Sequence, residues 1–247
     1  MQGKRGQVTL FIIIAIVVVA IILMVVFLRG GIMGGKLSDT DLVKVQGYIT
    51  SCLEAKTKEG ILAIGKQGGY NKLPEASINF LDEKTAYYWK NNQDLVPNAN
   101  TVSQELVSWI NDHTDECLKM QGYELVTTTC KANAQIQENL TIVDFNCPVK
   151  ITKGLASSQL SSFNVKINAP ITNLLDASAK VVDEYAKQPG NFCISCFDSI
   201  AQANNVTIKA VPITKEIYEP EHIWFLITDK NIKFEDKNIT WRFVVEM

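Results

Sequence analysis

The chain has 247 residues, with 24 basic and 26 acidic side chains and a formal net charge of −2. Basic charge is not in excess, so the composition does not indicate a nucleic-acid partner. The apolar fraction of 47% is typical of a packed globular protein and excludes a long disordered stalk.

The first predicted element is an apolar helix. Between Val8 and Leu28 the sequence has no charged residue, and Thr9 is its only polar one. An α-helix needs about 20 apolar residues to cross a bilayer, so this run predicts a single transmembrane helix over 7–29. A secretory signal peptide has a shorter apolar region, of about 7–15 residues, followed by a small-residue cleavage site. Removal by ordinary signal peptidase is therefore not predicted.

The charges that flank this run predict an orientation. Lys4 and Arg5 precede it, and positive charge beside a span tends to stay in the cytoplasm. We expect a single-pass protein of the cell membrane, with the lipid bilayer as a partner, a cytoplasmic N-terminus and an extracellular domain. The glycines of 30–35 predict a hinge over 30–37, and the extracytoplasmic domain is expected over 38–247.

The stretch Lys4-Arg5-Gly6-Gln7-Val8-Thr9-Leu10-Phe11 resembles the class III signal of archaeal type IV pilin-like proteins. The resemblance implies a leader over 1–6, cleavage between Gly6 and Gln7 by a prepilin peptidase, and a role in a pilus-like assembly. Many pilins carry Glu where this chain has Phe11, and the run has only Ala15 and Ala20 as small residues. We therefore expect a minor or tip subunit, and not the major subunit of a homopolymer.

Helical and strand patterns alternate irregularly through the rest of the chain, which predicts an α+β fold with an antiparallel sheet and three to four helices. A boundary near Pro189-Gly190 would divide two sub-domains; alternatively, the last strands complete the first sheet. The predicted elements are a helix from Ser38 to near Gly65, a strand over 84–90, a helix capped by Asn100 or Thr101, strands between Tyr123 and Ile167, helices over 171–187 and 195–203, and three closing strands.

Six cysteines follow the apolar run, an even number that suits an oxidising compartment. A bridge between Cys52 and Cys117 would join two predicted helices, and one between Cys130 and Cys147 would join neighbouring strands. Three sequons predict glycan acceptors on the same side of the membrane. Their asparagines are Asn139, Asn205 and Asn238.

The motif Cys193-Ile194-Ser195-Cys196 leaves two interpretations open. A CxxC at a helix start can hold a reactive thiolate, but the redox form expects a thioredoxin-like βαβ context that the predicted elements lack. Structural pairing of these cysteines, with each other or separately, is the favoured interpretation. A zinc site is not predicted, because the only histidines are His113 and His222 and the chain has no second CxxC.

Two further features have ordinary structural interpretations. Aromatic residues such as Tyr87, Tyr88 and Trp89 could form a binding platform, but consecutive residues on a strand face opposite sides, which favours the core. The acidic stretch Glu216 to His222 is predicted to be a solvated loop. The sequence contains no standard catalytic or phosphate-binding motif, so we expect neither an enzyme nor a cofactor.

The region after the apolar run also resembles a set of uncharacterised membrane-anchored archaeal proteins. The resemblance rests on Tyr48-Ile49-x-x-Cys52-Leu53-Glu54, on Gly65-Lys66-Gln67-Gly68-Gly69-Tyr70 and on Cys193-x-x-Cys196. We expect a cell-surface protein with a structural, adhesion or interaction role. The alternative is a tethered extracytoplasmic binding module or a thiol oxidoreductase.

Overall fold

The computed structural model describes residues 5–32, 35–80, 83–189, 193–214 and 220–247. Over these residues the protein is α+β, with five α-helices and two sheets. The helices are α1 (Arg5–Ile32), α2 (Asp39–Lys66), α3 (Ala99–His113), α4 (Ile171–Lys187) and α5 (Ile194–Ala203). The strands are β1 (Ser77–Phe80), β2 (Glu83–Lys90), β3 (Gln93–Asp94), β4 (Glu124–Thr127), β5 (Lys131–Ile136), β6 (Leu140–Lys153), β7 (Ala156–Asn168), β8 (Val206–Thr214), β9 (Pro220–Phe234) and β10 (Lys237–Glu246).

Helix α2 begins and ends with local signals that the sequence supplies. The Ser38 side chain caps its N-terminus by accepting a hydrogen bond from the Asp41 backbone N–H, and Asp39 and Asp41 complement the helix dipole in the first turn. After Lys66 the chain turns at Gly68 and Gly69, whose φ angles are +73° and +84°. Only glycine adopts such angles at little cost, so the helix stops there.

One sheet has four strands and is antiparallel. The long strand β6 pairs with β7 along one edge, and with β5 and then β4 along the other. Alternating residues of β6 are buried, as expected for a sheet with one face against a core.

The other sheet has six strands and joins the beginning of the domain to its end. Its order is β1-β2-β10-β9-β8, with β3 paired to β2. Strand β10 runs parallel to β2, with Val244 opposite Tyr87. The last strands therefore complete the sheet that β1 and β2 begin.

The two sheets share one hydrophobic core. Helix α2 contacts β7 of the four-stranded sheet and β10 of the six-stranded sheet, and α3 packs against α2 and β5. Helix α4 covers the six-stranded sheet near β9 and β10. A single cluster of buried side chains runs through all of these elements, including Ile49 of α2, Phe145 of β6 and Trp241 of β10.

The predicted transmembrane helix over 7–29, and with it the single-pass location in the cell membrane, is wrong. Of the helices in the described part of the chain, none combines the length and the apolar character that crossing a membrane requires.

Smaller differences concern element boundaries. Helix α1 continues through Gly30 and Gly31 to Ile32, inside the predicted hinge. Helix α3 is capped by Asn98, two residues earlier than predicted, because its side chain accepts the Thr101 backbone N–H. Cys117 lies in a 3-10 turn, Thr114–Leu118, that follows this helix.

Candidate functional site

Three regions of the described chain carry chemistry that the core does not explain. They are the apolar surface of α1, the junction between α1 and the domain, and the Cys193–Cys196 disulfide with the groove beside it.

We define the α1 surface as the side chains of residues 12–25. Every one of them is exposed, and the larger ones range from 45% exposed for Val25 to 65% for Met24. None is polar or charged. The stretch makes almost four turns, so the apolar surface extends around the whole circumference of the helix. A helix that is apolar on all sides is normally buried, so this surface indicates contact with something beyond the described domain.

The residues at the predicted cleavage site lie at the start of this helix. Gly6 and Gln7 both fall in the first turn of α1, which begins at Arg5. Their backbone is helical; whether the bond between them is cleaved stays a prediction.

The chain enters the domain along the hairpin formed by β6 and β7. The Ser157 backbone N–H donates to the Gly35 carbonyl over 2.9 Å, and the Leu37 N–H donates to Ser158 Oγ over 3.2 Å. Leu37 is buried. These contacts hold the segment that follows α1 against β7.

An ion pair reinforces the same junction. Lys153 Nζ lies 2.7 Å from Asp41 Oδ1, and the Tyr123 hydroxyl donates to the same oxygen over 2.5 Å. The hydrogen bond from Lys153, followed by those from Tyr123 and Ser38, lowers the pKa of Asp41 to about 2. Asp41 thus stays ionised at neutral pH and links α2 to β6.

All six cysteines form disulfides: Cys52–Cys117, Cys130–Cys147 and Cys193–Cys196. The first joins α2 to the turn after α3. The second lies at the step where β6 changes partner from β5 to β4. The third is confined to the start of α5.

The three sequon asparagines are exposed and lie at strand ends. Asn139 and Asn205 directly precede β6 and β8, and Asn238 is at the beginning of β10. A glycan could be accommodated at each position, but glycosylation itself stays a prediction.

Cys193 and Cys196 sit at the N-terminus of α5, and both are half-buried. Cys193 is the N-cap residue: its Sγ accepts the Cys196 backbone N–H over 3.3 Å and lies 3.6 Å from Ser195 Oγ. A carboxylate oxygen of Glu184, from α4, lies within 4.8 Å of both sulfurs. Two hydrogen-bond donors and one carboxylate therefore surround the pair.

An apolar groove of about 480 Å³ lies beside the disulfide. Ile194, which lies between the two cysteines in sequence, lines it and is 73% exposed. The other lining residues are Phe197, Asp198, Ile208, Ala210, Pro212 and Ile223.

Most of the remaining predicted features have a structural role. Three of the aromatic residues are buried in the core: Tyr88, Trp109 and Trp241. The sequence favoured this core position over a binding platform. Most of the acidic stretch that begins at Glu216 lies outside the described residues. His222, at its end, faces Tyr87, with the Tyr87 hydroxyl 3.4 Å from His222 Nδ1.

The sequence indicates the CxxC motif, but it does not indicate Glu184 or the groove as its neighbours. Glu184 lies in the last turns of α4, and only the packing of α4 against α5 brings it to the sulfurs. No local pattern in the sequence signals this approach.

Comparisons with protein-family models, with curated proteins and with solved structures find no match to this chain.

Proposed function

We propose that this protein is a structural subunit that joins a multi-subunit, pilus-like assembly through α1. The observation that carries the proposal is the apolar surface around the whole of α1 between residues 12 and 25. A second copy packed on one side would cover only part of it. Several α1 helices from further copies, packed side by side, would cover the whole circumference and remove it from water.

The leader supports the same proposal. The basic residues and the Gly6-Gln7 pair resemble the processing signal of pilin-like proteins, whose apolar helix stays on the mature chain. Ile and Val dominate 12–25, and Ala15 and Ala20 are its only small residues. Such a helix favours a bundle of limited size over the close packing that small residues permit.

The disulfides fit a domain that matures in an oxidising compartment. All six cysteines lie in the described ranges, and all are paired. In this proposal the domain is the displayed part of the subunit, and the contacts of Gly35 and Leu37 with β7 hold the start of the domain against its four-stranded sheet.

Sedimentation velocity on the full chain tests the assembly. The wild type is expected to sediment as species several times larger than the 27.5 kDa monomer. The double substitution Ile16→Glu/Leu23→Glu places two charges on the α1 surface, where both side chains are more than 60% exposed. Burying these charges between helices is costly, so we expect the variant to be monomeric.

A matched control adds the same charges elsewhere. Val43→Glu/Leu155→Glu alters two exposed apolar residues of the domain, 69% and 88% exposed, and should leave assembly unchanged. A monomeric wild type, or equal assembly of the α1 variant, would refute the proposal. Urea unfolding of both variants checks that the domain is intact.

The pilin-like leader has its own test. The intact mass and N-terminal sequence of the protein from its native host should show a chain that starts at Gln7. A mature protein that retains Met1 would remove the support of the leader, while the sedimentation result would stand by itself.

A further inference from the structure

We propose that Cys193–Cys196 is a redox-active disulfide that oxidises dithiols by thiol–disulfide exchange. This inference goes beyond the proposed assembly and does not depend on it. It also departs from the expectation, based on sequence motifs alone, that the pair is structural.

The Cys193–Cys196 bridge closes the shortest loop of the three disulfides. Its cysteines are 3 residues apart in sequence, against 65 for Cys52–Cys117 and 17 for Cys130–Cys147. In the chain-entropy description, a disulfide stabilises a fold by closing a loop, and the effect falls with the length of that loop. The Cys193–Cys196 bridge therefore constrains the unfolded chain least.

The Cys193–Cys196 bridge is also accessible to an incoming thiol. Both sulfurs of this pair belong to half-buried residues, and Ile194 between them is exposed. Each of the other bridges includes a fully buried cysteine, Cys117 at 1% and Cys147 at 0% exposure. An incoming thiolate can thus reach the Cys193–Cys196 pair more readily than the other two.

Several groups favour a thiolate at Cys193. The Glu184 carboxylate, within 4.8 Å of both sulfurs, opposes one by like charge, but it is itself paired with Lys187, whose Nζ lies 2.5 Å from Glu184 Oε2. The Cys196 backbone N–H donates to Cys193 Sγ, and the Ser195 hydroxyl lies within hydrogen-bonding distance of the same atom. Cys193 is also the N-cap of α5, where the helix dipole favours negative charge. Stabilising the reduced form in this way makes a disulfide a better oxidant.

The proposed exchange transfers two electrons from a substrate dithiol to the Cys193–Cys196 disulfide. A substrate thiolate attacks Cys193 Sγ, the Sγ–Sγ bond to Cys196 breaks, and Cys196 leaves as a thiolate that takes up a proton. That proton comes from solvent, which reaches the pair because both cysteines are only half-buried. The second substrate thiolate then attacks the substrate sulfur of the mixed disulfide and releases the Cys193 thiolate. One substrate dithiol is oxidised and one protein disulfide is reduced.

A redox titration of the full chain tests the proposal. The protein is equilibrated in glutathione buffers of graded ratio, quenched with an alkylating reagent and digested, and each cysteine pair is measured by mass spectrometry. We expect Cys193–Cys196 to be reduced at an equilibrium constant at least tenfold more favourable than for Cys52–Cys117, which is about 30 mV. Joint reduction of all three bridges, or reduction of this one last, would overturn the proposal.

A second measurement determines the pKa of the Cys193 thiol. In Cys196→Ser the backbone donor remains, and the lone Cys193 is reacted with a small aromatic disulfide across a range of pH. The apparent pKa should lie clearly below the 8.5 or so of a free cysteine. Adding Ser195→Ala should cut the rate near neutral pH about threefold, as expected for one lost hydrogen bond.

The control for this measurement is Ser199→Ala, one turn further along α5. Ser199 is exposed, and its hydroxyl donates to the Ser195 carbonyl without contacting a sulfur. The rate should not change. An unshifted thiol pKa in Cys196→Ser, or equal effects of the two serine substitutions, would refute the role assigned to Cys193.

Discussion

Trp241 donates its indole N–H to the Tyr88 hydroxyl over 2.7 Å, although 153 residues separate the two in sequence. Both side chains are fully buried, and the Tyr88 hydroxyl donates in turn to the Gly68 carbonyl over 3.0 Å. Burial raises the pKa of Tyr88, so the hydroxyl stays protonated and can both accept and donate. This chain of hydrogen bonds ties the end of α2 to β2 and β10.

Tyr88→Phe should therefore destabilise the protein. It leaves the Trp241 indole N–H and the Gly68 carbonyl buried without their partner, and an unsatisfied buried group costs about 1–3 kcal/mol. Urea unfolding followed by tryptophan fluorescence measures the change. Tyr48→Phe is the control: that hydroxyl donates to the Lys119 carbonyl at an exposed position, and its loss should cost less than about 0.5 kcal/mol.

Two glycines of α2 predict opposite effects of the same substitution. A Cβ at Gly60 would lie 2.6 Å from Trp109 Cε3 and 3.1 Å from Leu106 Cδ1, so Gly60→Ala forces α3 away from α2. Overpacking of this kind costs about 1–3 kcal/mol. A Cβ at Gly47 meets nothing within 4 Å, and Gly47→Ala should stabilise the helix by up to about 1 kcal/mol. Equal changes in the urea midpoint of the two variants would contradict this packing.

The disulfides should differ in their contribution to stability. Replacing Cys52 and Cys117 by serine opens a loop with a sequence separation of 65, and about 4 kcal/mol of stability should be lost. Replacing Cys193 and Cys196 by serine opens a separation of 3, and the loss should be about 2 kcal/mol or less. Urea unfolding without reductant measures both losses of stability. A larger loss for the second pair would indicate that it is a structural bridge.

The junction beside α1 predicts a dependence on pH. The pKa of Asp41 is lowered to about 2, chiefly by the hydrogen bond from Lys153. A lowered pKa contributes stability that is complete above the unfolded value of about 3.9 and is lost as the pH falls through about 2. The variant Lys153→Gln should raise the pKa of Asp41 toward its ordinary value, as measured by NMR titration of the carboxyl group.

The control for this titration is Lys150→Gln. Lys150 is exposed on the same strand, β6, and does not contact Asp41. Its replacement by glutamine removes the same charge as Lys153→Gln. Its effect on the pKa of Asp41 should be small. If the two substitutions shift that pKa equally, general charge and not the hydrogen bond is the cause.

Local signals were sufficient for several elements. The predicted helix over 171–187 coincides with α4, because its apolar residues recur every three to four positions between Pro170 and Pro189. Ser38 likewise caps α2 as expected, since a serine before two acidic residues is a strong helix start. The start of α3 was predicted two residues late because Asn98 and Asn100 are both suitable caps.

The pattern of the long apolar run was misread as a membrane span. The sequence alone determines that 12–25 is apolar on every side. The hydrophobic effect depends on the apolar area removed from water and not on what covers it. Composition therefore cannot distinguish burial by lipid from burial by other helices. The tertiary structure decides that the described domain leaves this surface exposed.

Local sequence patterns do not predict which distant segments of the chain pair with each other. The sequence indicated strands at both ends of the domain and a CxxC motif between them. Only the folded chain places Val244 beside Tyr87 in a parallel pair and the Glu184 carboxylate beside Cys193. Such contacts depend on which of many competing arrangements buries the most apolar surface, and that choice is made by the whole core and not by any one segment.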